Sequence, residues 1–128
     1  VYICGRRKEG IAALVNAFGG DALPIDKLAS KPLPVSLVVN ATSVSSEEEA
    51  PELAALARRL DAPTCDLMMD LNYGRRQNFW QEIAAERNIQ FVDGLPALAY
   101  QARRTFALWT GLQVHPQEFL TALDGCTA

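Results

Sequence analysis

Val35-Ser36-Leu37-Val38-Val39-Asn40 is the stretch on which the reading of the fold turns. A nearly continuous apolar run closed by a polar residue is what a strand carries inside a parallel sheet covered on both faces; a strand with one wet face would alternate instead. Upstream, Val1 to Cys4 is a second strand-like run. From Lys8 the pattern turns helical, with Ile11, Leu14, Val15 and Phe18 on one face and Gly19-Gly20 as the stop. A polar connection containing Pro24, Asp26 and Pro32 joins these to Val35. Downstream, Ser45-Ser46-Glu47-Glu48-Glu49 has helix-start composition, and Pro51 to Leu60 carries Leu53, Leu56 and Leu60 at helical spacing. Cys65 to Leu71 is the next strand, Asn78 to Arg87 the next helix with Trp80 and Ile83 inward, and Gln90 to Val92 a further short strand.

The last third is helical. Leu95, Leu98, Ala102, Thr105, Phe106 and Trp109 recur at helical spacing, predicting a helix that opens near Gly94 and stops at Gly111. Gln101 falls at the edge of that stripe, where an amphipathic helix ordinarily carries a solvated amide. A final helix begins at His115-Pro116 and runs through Phe119, Leu120 and Leu123. Regular alternation of strand and helix predicts an α/β, doubly wound parallel sheet whose functional loops gather at the carboxyl ends of the strands. Cys4, Asn40 and Asp70 stand at such ends.

At 128 residues and 49% hydrophobic, the chain suffices for one domain with a real core. A net charge of -3, with Arg and Lys in short separate clusters, argues against a general nucleic-acid binder. Cys4, Cys65 and Cys126 are odd in number and far apart, which suits a reducing cytoplasm better than a disulfide framework. No apolar run is long enough to span a bilayer. The expectation is a soluble, cytoplasmic protein. The chain opens at Val1 inside a strand-like run, so it is expected to be a piece of a longer protein.

Several segments taken together resemble the shikimate dehydrogenase family. Asp93-Gly94-Leu95, Gln101-Ala102 and Phe106-Ala107-Leu108-Trp109-Thr110-Gly111 are similar to its C-terminal signature. Asp70-Leu71-Asn72-Tyr73 resembles its Asp-Met-x-Tyr at a strand end, Val38 to Ser43 its strand and cofactor loop, and Ile3-Cys4-Gly5-Arg6-Arg7 its earlier strand with an Arg-bearing turn. The resemblance covers nearly the whole chain. It implies a single partial Rossmann-like domain over residues 1–128, lacking the first strand and its glycine-rich loop, with C-terminal helices. It further implies an NADP-dependent oxidoreductase that reversibly reduces 3-dehydroshikimate to shikimate on the route to aromatic amino acids. The family's N-terminal substrate domain, which carries its catalytic Lys and Asp, is absent here, so no catalytic residue is expected in this chain and the chain alone should not turn over. The implied partners are that substrate domain and a small-molecule substrate, with room for a homodimer and none for nucleic acid or membrane.

Within such a fold, the turn after the strand at Val1 is diagnostic. An acid there would bind a ribose 2′-hydroxyl, whereas arginine suits a 2′-phosphate. Gly5-Arg6-Arg7-Lys8 has no acid at its tip, which favours NADP over NAD, although clusters of this kind are also ordinary on surfaces. By resemblance Arg6 reads the phosphate, with Arg7 beside it. Gly19-Gly20 follows a helix rather than opening one and does not replace the missing glycine-rich turn. In the usual strand order that missing strand is central, so its removal should split the sheet.

Asn40, Ala41, Thr42 and Ser43 could meet the cofactor or simply form a turn. The resemblance puts Leu71 and the backbone of Gly94 beside the nicotinamide, and makes Tyr73 and Gln101 substrate ligands. The chain departs from the family at several points. Ser45 stands where a Gly is usual, Leu71 for Met, Asn78-Phe79 for Thr-Pro, Pro96-Ala97 for Gly-Met, and Arg75-Arg76 enter a turn that usually holds Pro. A dehydrogenase of quinate or another cyclic hydroxy acid, or a non-catalytic ligand-sensing module, stays open on these departures. His115 reads as a helix cap, the Glu47–Glu49 run as solvated, and strand-end Asp residues as acceptors of backbone hydrogen bonds.

Overall fold

The computed structural model describes residues 1–126. In chain order the elements are β1 (Tyr2–Gly5), α1 (Lys8–Phe18), β2 (Asp21–Pro24), a 3₁₀ turn (Ile25–Lys27), β3 (Leu37–Asn40), α2 (Pro51–Arg58), β4 (Leu67–Asp70), α3 (Phe79–Glu86), β5 (Gln90–Val92), α4 (Leu95–Thr110) and α5 (Pro116–Cys126). Every strand pair among the described residues is parallel. The strands form two sheets, β1-β2 and β3-β4-β5. These are the two flanks of the usual dinucleotide-fold order 3-2-1-4-5-6 with strand 1 left out. The split expected from the sequence is therefore present.

The larger sheet holds the core. On one face, buried Met68 of β4 meets Phe79, Ile83 and Ala84 of α3 and Ala54 and Ala57 of α2, with Val38 and Phe91 packed against them. Asn78 caps α3 by accepting from the backbone N–H groups of Trp80 (3.0 Å) and Gln81 (3.2 Å), two donors that a helix start would otherwise leave unpaired. Burying Phe79, Trp80, Ile83 and Ala84 then stabilises α3 far more than its length of eight residues would. Arg87, just past its end, donates to the carbonyls of Leu60 and Arg58 and so ties α3 to the end of α2.

Helix α4 ends at Gly111, whose φ of 72° is the left-handed cap that glycine adopts without a Cβ penalty. Helix α5 folds back on α4 through an edge-to-face contact of Phe106 and Phe119 (5.9 Å between centroids) and a bond from Arg103 Nε to the Val114 carbonyl (2.9 Å). His115 Nδ1 accepts from the Gln117 N–H, the capping role expected of it.

Four expectations need correction. Asp21–Pro24 is a strand, β2, where the sequence reads as a polar connection; Pro24 is tolerated because β2 is an edge. The β3 strand is not covered on both faces: Leu37 and Val39 are 47% and 45% exposed, because α2 and α3 lie only on the Val38 side. Likewise Leu14 and Phe18 of α1 and Trp109 of α4 are exposed rather than inward; α1 has only a two-stranded sheet to pack on, which buries Ile11 alone. Finally, Ser45–Glu49 is a turn, and helix α2 starts only at Pro51.

Candidate functional site

The carboxyl ends of β3 and β4 meet around one side chain. Asn40 and Asp70 are the last residues of neighbouring strands and stand in register, so both side chains project from the same end of the sheet. Asp70 is fully buried. Its Oδ1 accepts from Asn40 Nδ2 (2.9 Å), Asn72 Nδ2 (2.9 Å) and the Asn72 N–H (3.0 Å), and its Oδ2 from Ser45 Oγ (2.7 Å) and Asn78 Nδ2 (2.7 Å). A buried carboxylate is stable only when its lone pairs are filled in this way.

The loop after β3 is built on that hub. Asn40 Oδ1 accepts from Thr42 N–H and Thr42 Oγ1, while Asn40 Nδ2 donates to the Val44 carbonyl. Thr42 Oγ1 accepts in turn from the Val44 N–H. The Thr42 hydroxyl is thus spent inside the loop; Ala41 and Ser43 are the exposed faces it offers outward. Arg75 crosses from the next loop, donating to the Ser43 carbonyl (3.0 Å) and to Glu49 Oε1 (2.9 Å). Glu49 Oε2 accepts from the N–H groups of Ser45 and Ser46. Those two amides, of Ser46 and Ser45, and then Arg75 hold the Glu49 carboxyl down at about 2.

Gly94 closes the other side. Its N–H donates to the Asn72 carbonyl (2.9 Å), and a Cβ placed on it would lie 2.0 Å from the Leu71 carbonyl oxygen. Only glycine permits this approach of the β4 end to the start of α4. Asp93 Oδ1 accepts from the Leu95 N–H and so opens that helix. Beside this corner lies a cavity of about 340 Å³ lined by Asn72, Tyr73, Gly74, Arg75, Asn78, Gln81, Phe91, Val92 and Asp93.

The fold thus brings together Asn40, Ala41, Thr42, Ser43, Leu71, Tyr73 and Gly94. Arg6 and Arg7 stand apart on the β1-β2 sheet, at the carboxyl end of β1, exposed and without an ion-pair partner among the described residues. Gln101 is exposed on α4 and does not line the cavity. Sequence reasoning missed Asp70 as an organiser, since it receives mostly side-chain rather than backbone donors. It also missed Asn72, Asn78 and Arg75. The signal for the first was the shared strand-end position of Asn40 and Asp70.

Comparison with known proteins agrees with this fold. No family profile matches the chain. Among curated relatives it is 34% identical over 116 residues to an NADP-dependent shikimate dehydrogenase of Thermus thermophilus, covering 91% of this chain and 41% of that protein. It is 36% identical over 125 residues to that of Gluconobacter oxydans, covering 97% and 44%. Among solved structures, a Thermus thermophilus shikimate 5-dehydrogenase in complex with NADP(H) and shikimate superposes with a TM-score of 0.72 at 30% identity, over 94% of this chain and 44% of that one. The Mycobacterium tuberculosis shikimate dehydrogenase, at 19% identity and a TM-score of 0.77, shares the fold over 97% of this chain and 47% of its own. The chain spans less than half the length of these relatives. At 34% and 36% identity to these dehydrogenases over more than nine-tenths of its own length, this chain belongs to the shikimate dehydrogenase family as its C-terminal, Rossmann-like part.

Proposed function

We propose that this chain is the cofactor-binding portion of an NADP-dependent shikimate dehydrogenase, which reversibly reduces 3-dehydroshikimate to shikimate. The observation that carries the reading is the corner at Leu71 and Gly94, where two backbones approach so closely that a methyl group is excluded. The contact fixes Leu71, 44% exposed at the carboxyl end of β4, where a flat ring can pack against its side chain. The residues present fit an NADP molecule: the corner and the Ala41–Ser43 loop suit its nicotinamide half, and the exposed guanidinium groups of Arg6 and Arg7 suit a ribose 2′-phosphate. When bound, NADPH supplies the hydride.

The chain's own residues orient and shield. Leu71 packs, Ser43 offers a hydroxyl, and Tyr73 presents a phenol, half exposed at the cavity, to a polyol hydroxyl. Gln101 would reach substrate from α4 only if a further domain brought the substrate to that exposed face. Catalytic acid and base groups belong to such a domain in this reading, and a strand followed by a glycine-rich turn would join β1 and β3 and cradle the pyrophosphate. A cytoplasmic location is part of the reading, supported by Cys4 and Cys65 as free thiols.

The test is turnover by the full-length protein. Shikimate-dependent reduction of NADP that falls on changing Tyr73 to Phe and Gln101 to Ala supports the reading. Turnover of quinate but not shikimate moves the substrate assignment, and nucleotide binding without turnover of either favours a sensing module.

A further inference from the structure

Asp70 is no ordinary strand-end acid. Its two oxygens take five donors, four of them side-chain groups, and no cation is among them. The consequence lies in amide polarity. A carboxylate can only accept, so Asn40 and Asn72 must both turn their Nδ2 groups toward Oδ1. That leaves Asn40 Oδ1 facing the Thr42 N–H and hydroxyl, and leaves the second hydrogens of the two amides for the carbonyls of Val44 (2.8 Å) and Thr42 (2.8 Å). Reversing either amide would set oxygen against a carbonyl. The Asp70 oxygens and the loop's own backbone groups therefore agree on one direction for the hydrogen bonds that shape residues 41–44.

The other oxygen explains two departures from the family at once. Ser45, where Gly is usual, and Asn78, where Thr is usual, both donate to Oδ2 at 2.7 Å. Asn78 cannot turn over, because its own oxygen caps α3 at Trp80 and Gln81. Ser45 further accepts at its carbonyl from the Phe79 N–H (2.9 Å), so the loop, α3 and Asp70 lock together. Arg75, a third departure, straps Ser43 from outside.

We infer that Asp70 is a positioning residue for cofactor binding, which acts through Asn40 and Asn72 to hold the Ala41–Ser43 loop in the one conformation that receives the nicotinamide half of NADP. This rests on the functional reading above. Asp70 itself touches neither cofactor nor substrate. It sets backbone that does, so its loss is felt in binding and not in the chemical step.

The experiment compares three variants in the full-length protein. Asp70→Asn keeps shape but replaces one acceptor oxygen by an amide group, which sets N–H against N–H on one side of the hub; Asn72→Ala removes the relay to the Thr42 carbonyl; Ile83→Ala lowers stability through the apolar core, at a side chain 1% exposed that makes no hydrogen bond to the loop. Hydrogen exchange of the Thr42 and Val44 amides is measured without ligand, and NADP affinity by titration, with KM and kcat alongside. Asp70→Asn is expected to weaken NADP about tenfold, with kcat at saturating NADP within about twofold of the parent, and Asn72→Ala to weaken NADP about fivefold, the size of one or two hydrogen bonds misdirected or lost. Both should speed exchange at Thr42 and Val44, while Ile83→Ala melts earlier yet changes neither. Parental exchange and NADP affinity in Asp70→Asn would overturn the inference, as would an equal loss of affinity in Ile83→Ala. Should Asp70→Asn fail to fold, Asn72→Ala decides by the same two readings. A parent protein that binds no NADP would sink the functional reading instead, and the exchange data would still judge whether Asp70 orders the loop.

Discussion

Replacing Gly94 by alanine tests the corner on which the site rests. Gly94 has φ -75° and ψ -5°, values any residue adopts, so the backbone itself is unstrained by the change. The obstacle is steric. The new Cβ would lie 2.0 Å from the Leu71 oxygen and 2.5 Å from its carbonyl carbon, both backbone atoms that no rotamer change can move. The end of β4 and the start of α4 must part by about 1.4 Å to restore ordinary contact, which breaks the 2.9 Å bond from Gly94 N–H to the Asn72 carbonyl. Overpacking of this kind costs about 1–3 kcal/mol and a buried hydrogen bond lost about 1–3 more, so about 3 kcal/mol in all is a fair expectation. In a full-length protein of the relatives' size, more than twice the length of this chain, that lowers Tm by about 6 °C. The assay is thermal unfolding of the full-length protein, read together with NADP titration, which should weaken at least about tenfold as the corner opens. Gly111→Ala is the comparison: its φ of 72° strains an alanine by about 1 kcal/mol, yet nothing lies within 4 Å of the added carbon. It should melt only slightly early and bind NADP as the parent does. If Gly94→Ala matched the parent in both measurements, the close approach of Leu71 and Gly94 would be wrong.

Changing Arg6 and Arg7 together to alanine should weaken NADP by about tenfold to a hundredfold, the loss of charge-assisted bonds to a phosphate, and leave NAD affinity unchanged in parallel titrations. Phe79→Ala, at a side chain 1% exposed in the core, should cost about 3–5 kcal/mol by denaturant unfolding. Glu49 gives a pH dependence. Its carboxyl is held at about 2 in the fold against an ordinary value of 4.5, so its contribution to stability is complete above 4.5 and drains away as pH falls toward 2. The gap in Tm between the parent and Glu49→Gln should be constant from about pH 7 to 5 and close as pH is lowered through that window; a gap that widened on acidification would contradict the arrangement at Ser45 and Ser46.

Where side-chain periodicity was set by packing on a near neighbour in sequence, the fold was legible. Helix α3 with Trp80 and Ile83 inward, β5 at Gln90–Val92 and α4 from Gly94 to Gly111 are all as expected. Asp21-Ala22-Leu23-Pro24 was not legible as a strand, because an Asp and a Pro at its ends read as loop, and its one buried side chain, Leu23, gives no period. The exposed faces of β3 and α1 escaped for the opposite reason: apolar residues declare that a face wants cover, not what covers it. At the site, Asn40–Ser43, Tyr73 and Gly94 were marked by motif and position. The roles of Asp70, Asn72 and Asn78 were not, since they depend on register between strands thirty residues apart, which the chain does not spell out locally.

The measurement that bears most directly on the central claim is calorimetric titration of the full-length protein with NADP and with NAD, followed by shikimate in the presence of the tighter nucleotide. Tighter binding of NADP, with the preference abolished when Arg6 and Arg7 are removed and shikimate binding to the nucleotide complex, is the predicted result; equal binding of the two nucleotides, or of neither, would contradict it.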